Sequence, residues 1–310
     1  MVPPFDKRYT IKDYRKEYRY DKTYVKEVLA NRQTCLYYLR RSTEQPLLNL
    51  TGSEFVEYAA AEAYDKVDPK QLVALRAQHA WIVEPIYRAS DAVLKMPFFS
   101  WVSQIQSPLE FKPAAVQLYY HSATFPKVMG LMLALGAMSE NSMMPFYAKH
   151  AYGEADHHAM LMAWMLKHGL LSSPSEIETV IPTIETNACV NYAYQMAIEQ
   201  DRDKWLVGLN SGIERCSNDF FKAVVPKLHS VAAGDLYFDV HVEADEFHSI
   251  MGLEYIPPHD PDSFRGRQLI TKALEGISLW AAMLHSWIGI ELFPKFDLNG
   301  NLISTDKQVH

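Results

Sequence analysis

The stretch Tyr237-Phe-Asp-Val-His-Val-Glu-Ala-Asp-Glu-Phe-His248 places His241, Asp245 and His248 at successive intervals of four and three. An α-helix turns those intervals into one stripe, each side chain about a turn above the last. Two imidazoles and a carboxylate on one stripe form a metal-ligand set. Mixed nitrogen and anionic oxygen donors suit iron or manganese better than thiolate-preferring metals. The chain is therefore expected to build its chemistry on helices.

Two further segments offer donors of the same kind. In Tyr152-Gly-Glu-Ala-Asp-His-His158, Glu154 stands three residues before His157 and four before His158. Glu-x-x-His on a helix facing a bundle core is a building unit of carboxylate-bridged di-iron sites. Tyr147, Ala151, Glu154, His158, Leu161 and Met165 recur at helical intervals, so Glu154 lies on an apolar, inward stripe. A buried glutamate costs several kcal/mol, in order of magnitude, unless it is paired or bound to metal. Between these segments, Gly212-Ile-Glu-Arg-Cys-Ser-Asn-Asp-Phe-Phe221 places Glu214 ahead of an apolar run, where a third helix can supply a bridging carboxylate. Asp156, Glu243 and Glu246 are expected to face solvent or to support the ligands.

The order Glu-x-x-His, lone Glu followed by Val225-Pro226, then Tyr-Phe-x-x-His-x-x-x-Asp-x-x-His resembles the haem-oxygenase-like di-iron oxidases and oxygenases. The likeness covers roughly residues 110 to 292. It implies an all-α, seven-helix haem-oxygenase-like bundle, here with an N-terminal helical extension. It also implies a six-residue ligand set of Glu154, His157, Glu214, His241, Asp245 and His248 for two Fe(II) ions. His158 is the alternative to His157, and Glu199 the alternative to Glu214. In such enzymes the two irons reduce O2 together and oxidise a small metabolite (an amino acid, amine or fatty acid) by N-oxygenation, desaturation or oxidative C–C cleavage. An external electron donor is a possible partner. The resemblance further implies a weakly held second iron and a His241 helix that is mobile without metal.

Hydrophobic residues make up 48% of the chain, enough for a substantial core. The longest apolar run, Val128 to Met138, is too short to span a bilayer and reads as a buried helix. The N-terminal Met-Val-Pro-Pro-Phe-Asp-Lys-Arg carries charges where a secretory leader is apolar. Cys35, Cys189 and Cys216 are odd in number and lack metal-binding spacing, which fits a reducing, cytoplasmic location. The first fifty residues hold eleven Lys and Arg against six Asp and Glu, a balance of +5, so the net −7 leaves −12 for the remainder. That basic arm carries seven tyrosines, yet the acidic body argues against a nucleic-acid partner. The arm is expected to pack on its own or a partner subunit in a homodimer.

Along the chain, residues 1–50 read as the arm, 51–110 as an N-terminal helical segment, 111–292 as the bundle and 293–310 as a polar, frayed tail. Helices are expected from Ser53 to about Val67, from Pro69 through Lys95 and from Pro113 to Met138. Others should run from about Pro145 through the Glu154 segment, from Glu176 to about Leu206 with an interruption near Pro182, from about Asp235 to Gly252, and from Ser263 to about Glu291. Gly208 and Gly212 are expected to weaken or kink the helix carrying Glu214. His79 reads as a core histidine. No strand signal is evident, and there is no glycine-rich phosphate loop or nucleophile elbow. Two other readings use the same fold. One is an iron-binding protein without oxygenase activity; the other is a metal-free or thiaminase-like enzyme, for which Cys189 and Cys216 are the candidate nucleophiles. Lys149, Arg202 and Arg215 are candidates for the charged clamp an amino-acid substrate would need, with simple solvation as the alternative.

Overall fold

The computed structural model describes residues 69–136, 144–155, 157–232, 236–250 and 252–306. The basic arm, the helix expected from Ser53 to about Val67, Asp156 and the last four residues lie outside the described residues, as do the side chains of Lys149, Glu243 and Glu246. Among the described residues the fold is all-α, with one short hairpin. Its helices are α1 (Pro69–Gln78), α2 (Ala80–Val93), α3 (Pro97–Gln104), α4 (Lys112–Gly136), α5 (Met144–Glu154), α6 (His157–Lys167), α7 (Ile184–Glu199), α8 (Arg202–Trp205), α9 (Arg215–Val231), α10 (Leu236–His248) and α11 (Phe264–Ser286). A π-helix, Leu206–Glu214, joins α8 to α9.

The chain forms two compact units. Among the described residues the first holds Tyr119–Glu178, and the second holds Pro69–Leu118 with Thr179–Asp306. In the first unit α4, α5 and α6 are lined with buried Met132, Leu133, Ala151, Ala159, Leu161 and Met165. Gly169, at φ +71°, ends α6 in the left-handed conformation that glycine adopts without Cβ strain.

In the second unit α11 is the central element, lying against the π-helix, α7 and α2. Ser263 caps it by accepting the Gly266 N–H at 3.0 Å. Asp201 caps α8 and Thr183 caps α7 in the same manner. Aromatic side chains fill the space between α3, α9 and α11: Phe98, Phe220, Trp280 and Trp287 meet at ring separations of 5.9 to 6.5 Å.

Away from the candidate site, local reading of the sequence fails in three places. The helix expected from Pro69 to Lys95 is divided at His79, which stands at the N-terminus of α2 and is fully buried. The segment expected to be helical from Glu176 is a 3₁₀ turn, Pro174–Thr179, and α7 begins only at Ile184. The C-terminal segment is no frayed tail: β1 (Phe293–Phe296) and β2 (Leu302–Asp306) pair antiparallel. A lone two-stranded hairpin is marginal in water, and docking is what stabilises this one. β1 lies against α11, and at the tip Gly300 (φ +79°) sits so near the Pro85 carbonyl that any Cβ would overlap it.

Candidate metal centre

The expected kink at Gly208 and Gly212 is instead a nine-residue π-helix, every residue of which is buried. Widening the turn from i−4 to i−5 hydrogen bonding is rare and tends to mark functional positions. Here it coincides with close packing. A Cβ on Gly208 would come within 2.5 Å of Met196 Sδ and 2.6 Å of the Tyr192 hydroxyl, and one on Gly212 within 3.2 Å of the Ala273 carbonyl. Glycine at both positions lets the backbone approach α7 and α11. The π-helix ends at Glu214, which is 3% exposed and whose Oε2 lies 3.0 Å from His248 Nδ1.

α10 carries the other expected donors of this unit. His241, Asp245 and His248 are all buried. The His241 Nδ1–H donates to the Tyr237 carbonyl at 2.5 Å, and a carbonyl can only accept. The ring is thus held in the tautomer whose lone pair is on Nε2, the arrangement used by imidazole metal ligands. Phe221 stacks on the same ring at 4.4 Å. Asp245 Oδ2 accepts the Ser217 hydroxyl at 2.6 Å, while its Oδ1 lies 3.9 Å from His248 Nδ1.

In the first unit α5 ends at Glu154 and α6 begins at His157, so these two residues do not share one unbroken helix as the spacing suggested. They still meet: His157 Nδ1 is 2.8 Å from Glu154 Oε2, and both are buried. His158 is fully buried edge-to-face against Tyr119, with centroids 6.1 Å apart. His150, absent from the sequence-derived set, is a further buried imidazole of this unit, packed against Phe125 at 6.2 Å. The signal was its spacing: it stands four residues before Glu154 on α5, one turn up the same stripe.

The alternatives lie elsewhere. Glu199 is held at the end of α7 by Lys204 (2.8 Å) and Gln195 (2.8 Å), and the Lys204 hydrogen bond, against the opposing effect of burial, lowers its carboxyl below the usual range. Arg215 binds Asp219 at 2.8 Å and stacks over Tyr87 at 4.0 Å, and Arg202 binds Asp203 at 2.9 Å. Burial pushes the Cys216 thiol up to about 12 and the Cys189 thiol higher still.

The donor set fits iron. Imidazole and carboxylate are the ligand types expected for a non-haem iron site, and thiolates are missing from it. For metal–ligand bonds of about 2.1 Å, two ligands at right angles on one ion are about 3.0 Å apart. The Glu154–His157 and Glu214–His248 contacts, at 2.8 and 3.0 Å, lie within reach of that spacing.

Buried acid–imidazole pairs in an all-α fold have the donor types of a helical metal-binding protein. A family model described as iron-containing redox enzyme matches residues 112–281, more than half of the chain, and the chain belongs to that family. Its membership makes it an iron-dependent oxidoreductase. No curated protein and no solved structure matches the chain. Among the described residues, no helix is long and apolar enough to cross a membrane.

Proposed function

We propose that the protein is a non-haem di-iron oxidase or oxygenase, with Glu154, His157, Glu214, His241, Asp245 and His248 as the metal ligands. The observation that carries this reading is the Glu214–His248 contact, in which a carboxylate 3% exposed lies 3.0 Å from an imidazole 2% exposed. Burying an anion is costly without a compensating positive charge, and membership of an iron-containing family supports iron as that charge. When bound, the two irons supply the electrons and open coordination positions for O2 reduction. The chain's own residues orient and shield. Tyr237 sets the His241 tautomer, the Phe221 ring excludes water beside it, and Ser217 holds one oxygen of Asp245.

The substrate is a small metabolite such as an amino acid, amine or fatty acid, oxidised with an external electron donor, in a cytoplasmic homodimer without nucleic-acid or membrane partners. A thiaminase-like reading is disfavoured by Cys189 and Cys216. Both are buried, and their raised thiol pKa keeps them protonated and weakly nucleophilic at neutral pH. The test is anaerobic Fe(II) binding, counting irons per chain in the wild type and in the His241→Ala, Asp245→Ala double variant. Roughly two irons in the wild type and a clear loss in the variant are expected, followed by substrate-dependent O2 consumption. Absence of specific iron in the wild type would sink the di-iron reading.

A further inference from the structure

Glu214 begins a stripe that continues along α9 through Ser217, Asn218 and Phe221, at the intervals of three, four and seven that share one helix face. The stripe meets α10 in a single antiparallel register. Glu214 lies at His248, Ser217 at Asp245 three residues back, and Phe221 at His241 seven residues back. Asn218 donates to the Val242 carbonyl at 2.9 Å, tying the backbone of α10 to the same face. One helix face thus touches each of the three α10 donors with a different side chain.

Ser217 stands out because it contacts the acid and not an imidazole. At 2.6 Å its bond to Asp245 Oδ2 has the length of a charge-assisted O–H···O⁻ bond. A carboxylate has two oxygens, and this hydroxyl engages one. The other, Oδ1, is the oxygen on the His248 side. Serine is short, neutral and placed on a regular helix, so it can fix the carboxylate without supplying a competing charge.

We propose that Ser217 is a positioning residue for iron: by holding Oδ2 it presents Asp245 to the metal through Oδ1, as a one-oxygen ligand. The inference rests on the proposed iron site. Without the hydroxyl, the Asp245 carboxylate is able to turn and chelate through both oxygens, which changes the coordination number of that iron.

The test is anaerobic titration with Fe(II) alone of the wild type, Ser217→Ala, Ser217→Thr and Ser217→Val. Near-infrared magnetic circular dichroism of the loaded proteins and the thermal midpoints of the metal-free proteins are recorded in parallel. Threonine keeps a hydroxyl, and valine has the same shape without it. Expected are a weakening of Fe(II) affinity by about 10- to 100-fold in the alanine and valine variants, shifted ligand-field bands, and restoration of both by threonine. Wild-type affinity and unchanged bands in the alanine and valine variants would overturn the proposal, as would a lowered thermal midpoint with iron binding intact. A wild type that binds no Fe(II) removes the iron reading itself. That outcome is scored on the wild type alone, so it is distinct from failure of the Ser217 role.

Discussion

Replacing Gly208 with alanine probes whether close packing sets the register of the π-helix that delivers Glu214. The new methyl would meet Met196 Sδ at 2.5 Å and the Tyr192 hydroxyl at 2.6 Å, where ordinary contact needs well over 3 Å. The thioether is a flexible end and can move at small cost. Tyr192 cannot move freely, because its hydroxyl donates to the Lys272 carbonyl on α11. Overpacking costs about 1–3 kcal/mol and the lost hydrogen bond about 1 kcal/mol more, against about 0.5–1 kcal/mol gained from the higher helix propensity of alanine. The net is a destabilisation of about 1–3 kcal/mol, or roughly 2–6 °C in thermal midpoint for a chain of this size. Thermal unfolding followed by circular dichroism reads it, together with a double-mutant cycle. Tyr192→Phe removes the hydroxyl, so Gly208→Ala should cost about 1 kcal/mol less in that background. An unchanged or raised midpoint for Gly208→Ala, or strict additivity in the cycle, would refute the claim that Tyr192 and α11 pin the π-helix.

Two further outcomes are expected. His285 is fully buried; its Nδ1–H donates to the Ala281 carbonyl at 2.6 Å, and its Nε2 accepts the Phe98 N–H at 3.3 Å, so only the neutral ring fits, and burial lowers its pKa. The unfolded chain takes that proton near pH 6.5 while the folded chain resists it. The contribution of His285 to stability is therefore complete above about pH 6.5 and declines as pH falls toward the folded value. A plot of thermal midpoint against pH should be flatter below pH 6.5 for His285→Gln than for the wild type, and parallel plots would contradict this. Native Cys189 and Cys216 should resist iodoacetamide at pH 8 and react on unfolding, since both thiols are buried and raised in pKa. Mass spectrometry of the alkylated protein reads this, and rapid native modification at either cysteine would revive the nucleophile reading.

Much of the fold was written in local pattern. The spacing of His241, Asp245 and His248 raised the expectation of a helix, and α10 runs from Leu236 to His248. Ser263 signals the start of α11, and Gly169 the end of α6, because capping depends on the residue and its immediate neighbours. The haem-oxygenase-like family was legible for the same reason: its motif is a set of short helical intervals, and the family match spans them.

What tertiary structure alone decided is where distant segments meet. Nothing local to Leu206–Glu214 distinguishes i−5 from i−4 hydrogen bonding; only the fold shows that α7 and α11 come close to Gly208 and Gly212 there. Glu199 and Glu214 are both plausible carboxylates in a linear reading. Folding gives the first to Lys204 and places the second beside His248. The hairpin at residues 293–306 was invisible because its strands gain their stability from α11 and from Pro85, far away in sequence. Helical periodicity encodes which side chains share a face of one helix. Which face of a second helix they meet is set by packing between segments, and that determines the partners of Glu214, Ser217 and Phe221 on α10.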